Sequence, residues 1–340
     1  MRGTRLLILA TLTALASSTV LAAAPAQNQA PNQPRELSPE VKADSDGLRA
    51  LAAATPLLPM DRVELKINPP MVLGSISAMT ADKSGNLYLF HRPEDPKVDT
   101  VVVIDAKGKF LRSFGKGMNT MPHGIRIDPQ GNVWTVDART SMVYKFSPEG
   151  KKLLEITVGD IPDPDRAFCS ATDTAFGKNG QVYVSDGYCN GRVLEYAADG
   201  KKVKEWGKKG KGPGEFNNAH DISMGPDDTL YVADRENGRL QWFNKDGKYL
   251  GEKHFGGQLF SVAINAAGDL YVGAHARGVG FEADSYIFKF DPKSGRIIGR
   301  LDAFAHQINI AADGSLLPGP VTVKIGTDPA TTTVLMFRPR

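Results

Sequence analysis

One recurring pattern constrains the fold of this chain more than any other feature. An alternating apolar stretch and a glycine-containing turn lead into a strand of the type Leu-Tyr-Val, followed by a third strand, a second glycine turn and a fourth strand. The second strands begin at Asn86, Asn132, Gln181, Thr229 and Asp269, so the spacings are 46, 49, 48 and 40 residues. A weaker sixth copy begins at His306, with Asp313-Gly314 as its first turn. Four strands per period of about 45 residues, with no helical repeat among them, predict an all-β fold of propeller blades, and residues 62–340 accommodate six. Two separate β-sandwiches would leave the period unexplained.

The repeat also accounts for an excess of glycine, 35 in 340 residues, about 10% against a usual ~7%. The first five copies carry a second turn at Ala106-Lys107-Gly108, Pro148-Glu149-Gly150, Ala198-Asp199-Gly200, Lys245-Asp246-Gly247 and Lys293-Ser294-Gly295. Two tight turns per copy call for residues that tolerate positive φ. The sixth copy is short of an outer strand, and the alternating segment Val63–Ile67 is expected to supply it, closing the ring from the N-terminal side.

Residues 1–24 read as a secretory signal peptide: Arg2 and Arg5, an apolar run from Leu6 to Leu21, then Ala22-Ala23-Ala24. The run falls short of the ~20 apolar residues of a membrane span, which disfavours an uncleaved anchor. A flexible N-terminal segment is expected over residues 25–59, rich in Pro, Gln and Asn as far as Glu36, with 37–57 either a short helix or a tether. The propeller itself is expected over 60–340, in a secreted or periplasmic protein. Lys and Arg number 41 against 38 acidic residues, and removing Arg2 and Arg5 leaves 39 against 38, a net +1. So small a charge gives no footprint for nucleic acid or an anionic membrane.

Among six histidines, His123 (MPHGI), His220 (NAHDI) and His306 (FAHQI) occupy the same place in blades two, four and six, just before the first strand. Blades one, three and five hold Ser77, Thr172 and Phe260 there. Equivalent residues on alternate blades of a six-bladed ring are related by an approximate threefold axis, so the three imidazoles converge on the central channel. Three neutral imidazoles with a fourth position open is the ligand set of a catalytic zinc, although imidazole also suits iron, copper or nickel. The plainer reading is that they shape a turn or cap a strand edge. His91, His254 and His275 lack the symmetry and read as surface or loop residues.

Cys169 and Cys189, the only cysteines, flank the first hairpin of blade three. In an exported chain an even pair at this spacing reads as a disulfide, which would fix the loop carrying Tyr188. A metal or redox pair is the weaker alternative, because neither a CxxC spacing nor a nearby histidine supports it.

Three stretches, Phe168-Cys169-Ser170-Ala171-Thr172-Asp173, Val184-Ser185-Asp186-Gly187-Tyr188-Cys189-Asn190 and Val232-Ala233-Asp234-Arg235-Glu236-Asn237-Gly238-Arg239, resemble the peptidyl-α-hydroxyglycine α-amidating lyase family of six-bladed NHL-repeat propellers. The resemblance runs from about Leu87 to Ile310 and is strongest between Phe168 and Gln241. It implies a zinc held by His123, His220 and His306, an active-site tyrosine at Tyr188, arginines at Arg235 and Arg92, and a disulfide between Cys169 and Cys189. Tyr188 would take a proton with its phenol lowered by Arg235, and Arg92 would hold the substrate carboxylate or stabilise developing charge.

The chain also departs from the family pattern. Gln307 stands where the family has the aspartate of a calcium site, and an amide is a poorer ligand than a carboxylate for a hard cation. Phe304 replaces a methionine, Ala219 and Ala305 replace prolines, and Trp242 occupies one position of a second family disulfide. The activity implied is cleavage of the C–N bond of an N-acyl-α-hydroxyglycine to an amide and glyoxylate. Its substrate would be a small carboxylate-bearing hydroxyamide or peptide supplied by a separate hydroxylating enzyme, and the protein is taken as a monomer. Two other classes fit the same residues, a metal-dependent lactonase-like hydrolase and a non-enzymatic NHL-repeat binding module.

Overall fold

The computed structural model describes residues 37–159, 163, 165, 166, 168–319 and 332–340. The expected signal peptide and the Pro/Gln/Asn-rich stretch to Glu36 lie outside them. The described residues hold six antiparallel four-stranded sheets, a six-bladed β-propeller. Blades one to five run in chain order, with inner strands β2 (Ser75–Ala81), β6 (Pro122–Ile127), β10 (Asp173–Phe176), β14 (Ala219–Met224) and β18 (Gln258–Ile264). Blade six takes three strands from the C-terminal end and its outermost from the start, β1 (Met60–Lys66). That strand pairs antiparallel with β24 (Thr333–Pro339), Met60 opposite Pro339 and Lys66 opposite Thr333. The expected closure is therefore present.

Every blade lies between two others, so its middle strands are covered on both faces. Val101–Ile104, Val133–Asp137 and Val182–Asp186 are buried at every position, and the apolar clusters fill the spaces between adjacent blades. One joins Tyr88, Phe90, Val101 and Val103 of blade one to Ile125, Val133 and Phe146 of blade two. The outer glycine turns fit into these joints. Gly150 has φ +93°, and a Cβ there would meet the Phe114 ring of the preceding blade at 2.6 Å. Only glycine serves both the turn and the close approach.

One open expectation is resolved and another changes. Of the short helix or tether left open over residues 37–57, the helix is present as α1 (Pro39–Ala54), capped by Ser38. Its Leu48 and Ala52 are buried against Phe255, Leu259 and Phe288, and Arg49 reaches Asp284 at 2.8 Å. The apolar face is narrow but it is covered by blade five, which holds the helix in place. His91 and His275 are buried rather than surface residues, because a propeller strand is enclosed on both sides. His91 is bonded to Gly74 N–H and the Asp99 carbonyl, and His275 Nδ1 lies 2.8 Å from Ser285 Oγ. His254 is exposed, as expected.

Candidate metal centre and active site

The inner strands are irregular where they meet the channel. Pairing of β2, β6, β14 and β18 with the next strand shifts register at Ser77, at His123-Gly124, at His220 and at Phe260. A bulge re-aims one side chain and leaves its backbone groups out of the ladder. The repeat thereby turns His123 and His220 inward, and it frees the Ser77 and Phe260 carbonyls in the blades between.

Those carbonyls are used at once. Nδ1 of His123 lies 2.7 Å from Thr172 O, Nδ1 of His220 lies 2.7 Å from Phe260 O, and Nδ1 of His306 lies 3.0 Å from Ser77 O. A carbonyl only accepts, so each Nδ1 carries the proton and each Nε2 presents a lone pair. The six equivalent positions thus alternate between imidazole and orienting carbonyl around the ring. Ring centroids of the three histidines are 4.6 to 4.9 Å apart, and their ligand atoms lie within 4.8 Å of one another.

All three imidazoles are held neutral. Burial lowers His123 and His220 well below the ordinary range, and His306 to about 3, with Arg92 and Arg235 adding repulsion. A buried set of three neutral Nε2 donors, each fixed from behind by a carbonyl, fits a zinc-type ion. No carboxylate belongs to the cluster among the described residues.

Tyr188 lies against this triad, its hydroxyl 2.8 Å from His123 Nε2 and 3.1 Å from His220 Nε2. The Cys169–Cys189 disulfide closes the loop that carries it. Arg235 sits over the rings of Tyr188 and Phe260, 5.7 and 5.1 Å from their centroids. Burial raises the Tyr188 phenol above its usual value despite Arg235 and Arg92, so the lowering expected from Arg235 alone is outweighed. Arg92 donates from Nε to Pro122 O at 2.9 Å and lies over Phe168. Its Nη2 is buried with no hydrogen-bond partner among the described residues.

Sequence reasoning located these residues but missed what surrounds them. Glu236 bonds Arg235, Arg277 and Gln258, and Arg277 N donates to Ser45 of α1. Further along the channel Arg126 is buried between Asp173 and Asp221. Both aspartates directly follow the repeat position that supplies the triad or its carbonyls, and that spacing was the signal. Burial pushes the Asp221 carboxyl well above its ordinary range, with Arg126 opposing and Asp173 adding to the rise. Gln307 Oε1 accepts from Ile125 N at 3.2 Å. With a guanidinium among the available oxygens and the amide already engaged, the donor set does not fit a bound calcium ion.

A family model described as NHL repeat matches residues 168–196 and 216–243, within blades three and four. The peptidylglycine alpha-amidating monooxygenase of Rattus norvegicus is 36% identical over 224 residues, 56% of this chain and 23% of that protein. Peptidyl-alpha-hydroxyglycine alpha-amidating lyase 1 of Drosophila melanogaster is 31% identical over 276 residues, 70% of this chain and 49% of the relative. Lyase 2 of the same fly is 28% identical over 334 residues, 86% and 78% of the two chains. This chain therefore spans about a quarter of the length of the rat relative and half that of the first fly lyase. A solved streptogramin B lyase shares the fold, with a TM-score of 0.55, 14% identity and coverage of 83% of this chain and 98% of that one.

Proposed function

We propose, on the premise that this chain is an amidating-lyase-like NHL-repeat propeller, that it cleaves the C–N bond of an N-acyl-α-hydroxyglycine to an amide and glyoxylate. The observation that carries the reading is the meeting of three Nε2 lone pairs, a bridging tyrosine hydroxyl and an unpaired guanidinium nitrogen in one buried site.

In this reading Arg92 binds the substrate carboxylate through Nη2, since a buried guanidinium nitrogen with no partner among the described residues favours an anion. Arg235 supplies the second positive charge of the site. Tyr188 takes the proton of the substrate hydroxyl and returns it to the departing nitrogen. The O–H electron pair becomes the second bond of the new carbonyl and the C–N pair leaves with nitrogen, so no oxidant, reductant or water enters. Tyr188 needs further positive charge close by to act as a base, because burial holds its phenol protonated. A zinc ion held by His123, His220 and His306 would supply that charge and polarise a substrate oxygen.

The disulfide and the homology to amidating proteins are consistent with a secretory-pathway protein, and we place it outside the cytoplasm, secreted or periplasmic. Among the described residues no helix is long and apolar enough to cross a membrane. The substrate would be a small hydroxyamide or peptide made by a separate hydroxylating enzyme. The test is bound-metal analysis followed by an assay for glyoxylate released from an N-acyl-α-hydroxyglycine. Glyoxylate with metal bound is expected. Metal without glyoxylate would point to a hydrolase instead, and protein without metal to a binding module.

A further inference from the structure

Arg126 follows His123 by three residues in β6, roughly 10 Å along the inner strand. A guanidinium carries five N–H donors, and here all five are matched. Nε and Nη2 bond Asp173 Oδ2 at 2.8 and 2.6 Å, and Nη2 also bonds Asp221 Oδ1 at 2.5 Å. Nη1 bonds Ile308 O at 2.9 Å and Asn309 Oδ1 at 3.0 Å, and Val262 O lies 3.4 Å from Nη2. Asn309 in turn donates to Met79 O at 2.7 Å and Ile125 O at 3.2 Å. Directly or through Asn309, this one cation reaches the inner strand of every blade.

We propose that Arg126 is the channel's resident cation, occupying an oxygen cage that a divalent ion would otherwise fill. The ring's inner strands are thereby tied together without calcium, and removing the guanidinium makes the channel a calcium site. Three observations carry this. All of the acceptors around Arg126 are oxygens, two carboxylates, an amide and backbone carbonyls, the donor type that a hard cation takes. Two further oxygens of these carboxyls, Asp173 Oδ1 and Asp221 Oδ2, are buried in the cage without bonding Arg126, so the cage has more oxygen than the guanidinium uses. Gln307 is not among the acceptors of Arg126, and its Oε1 is taken by Ile125 N. The proposal is independent of the lyase reading, because it concerns how the ring is held and not what it turns over.

Thermal midpoints of the wild-type protein and Arg126→Gln, each in EGTA and in millimolar calcium chloride, test it. Wild type is expected to be indifferent to calcium. Arg126→Gln is expected to melt roughly 5–15 °C lower in EGTA, as when one partner of a buried ion pair is removed, and to regain at least half of that loss in calcium. If the variant is recovered unfolded in EGTA, refolding in calcium is the same measurement. The triple variant Arg126→Gln, Asp173→Asn, Asp221→Asn should lose the calcium response. A wild type stabilised by calcium, an Arg126→Gln protein that calcium does not restore, or a triple variant that still responds would each overturn the proposal.

Discussion

His306 Nδ1 bonds the carbonyl of Ser77, so the last histidine of the triad is oriented by the first blade. The other two bonds of this kind, from His123 to Thr172 and from His220 to Phe260, also run from one blade to the next. The arrangement of the three imidazoles is therefore a property of the closed ring, and damage to the closure should be felt in metal binding.

Deleting residues 60–66 removes the strand that pairs with β24. The shortened protein is expected to lose thermal stability and to bind zinc more weakly, read by calorimetry and by competition with a chromophoric chelator. An unchanged melting temperature would show that the ring holds without its outer strand.

His123→Ala should lose metal and glyoxylate release together, since two remaining imidazoles make a poor zinc site. Metal analysis of the purified variant decides it. Full occupancy would remove His123 from the ligand set.

For Tyr188→Phe the expectation is retained metal and a fall in kcat of about 10²–10⁴-fold, the usual worth of a positioned acid–base group. Steady-state kinetics separates the outcomes, and turnover equal to wild type would take the hydroxyl out of the chemistry.

Arg92→Met should raise KM roughly 10- to 150-fold, the worth of a hydrogen bond to a charged group. Its melting temperature should hold or rise, because the variant no longer buries an unpaired cation nitrogen. A lower melting temperature with KM unmoved would assign Arg92 a structural part only.

Acid should destabilise the metal-free protein through its buried histidines. Burial pushes His91 down to about 4 from an ordinary 6.5. Between those values the unfolded chain binds a proton that the folded one refuses. Stability is therefore full above pH 6.5 and falls as the pH drops toward 4, by ~1.4 kcal/mol per pH unit for each such group. Urea unfolding at a series of pH values should show a shallower acid limb for His91→Gln. Identical limbs in the two proteins would mean that His91 charges freely in the fold.

The six blades were legible because the period survives in the second strands and their turns, and the triad was legible because its members share one place in that period. The groups behind the triad were not, since Thr172, Phe260 and Ser77 act through backbone carbonyls that any residue would provide. Burial of His91 was hidden for a different reason. Alternation marks the inside of a sheet with one wet face, whereas this strand has none. The fully buried apolar residues of helix α1 are just Leu48 and Ala52, too narrow a stripe to announce docking. Arg126 carries no motif of its own in the sequence, and only the closed ring places other blades around it.

Met60 faces Pro339 across a single ladder, and this has a temporal consequence. During synthesis the first strand must wait for the last, so nothing shorter than nearly the whole chain can complete the circle. Assembly of the triad, which leans on blade one through Ser77, would then be among the final events of folding.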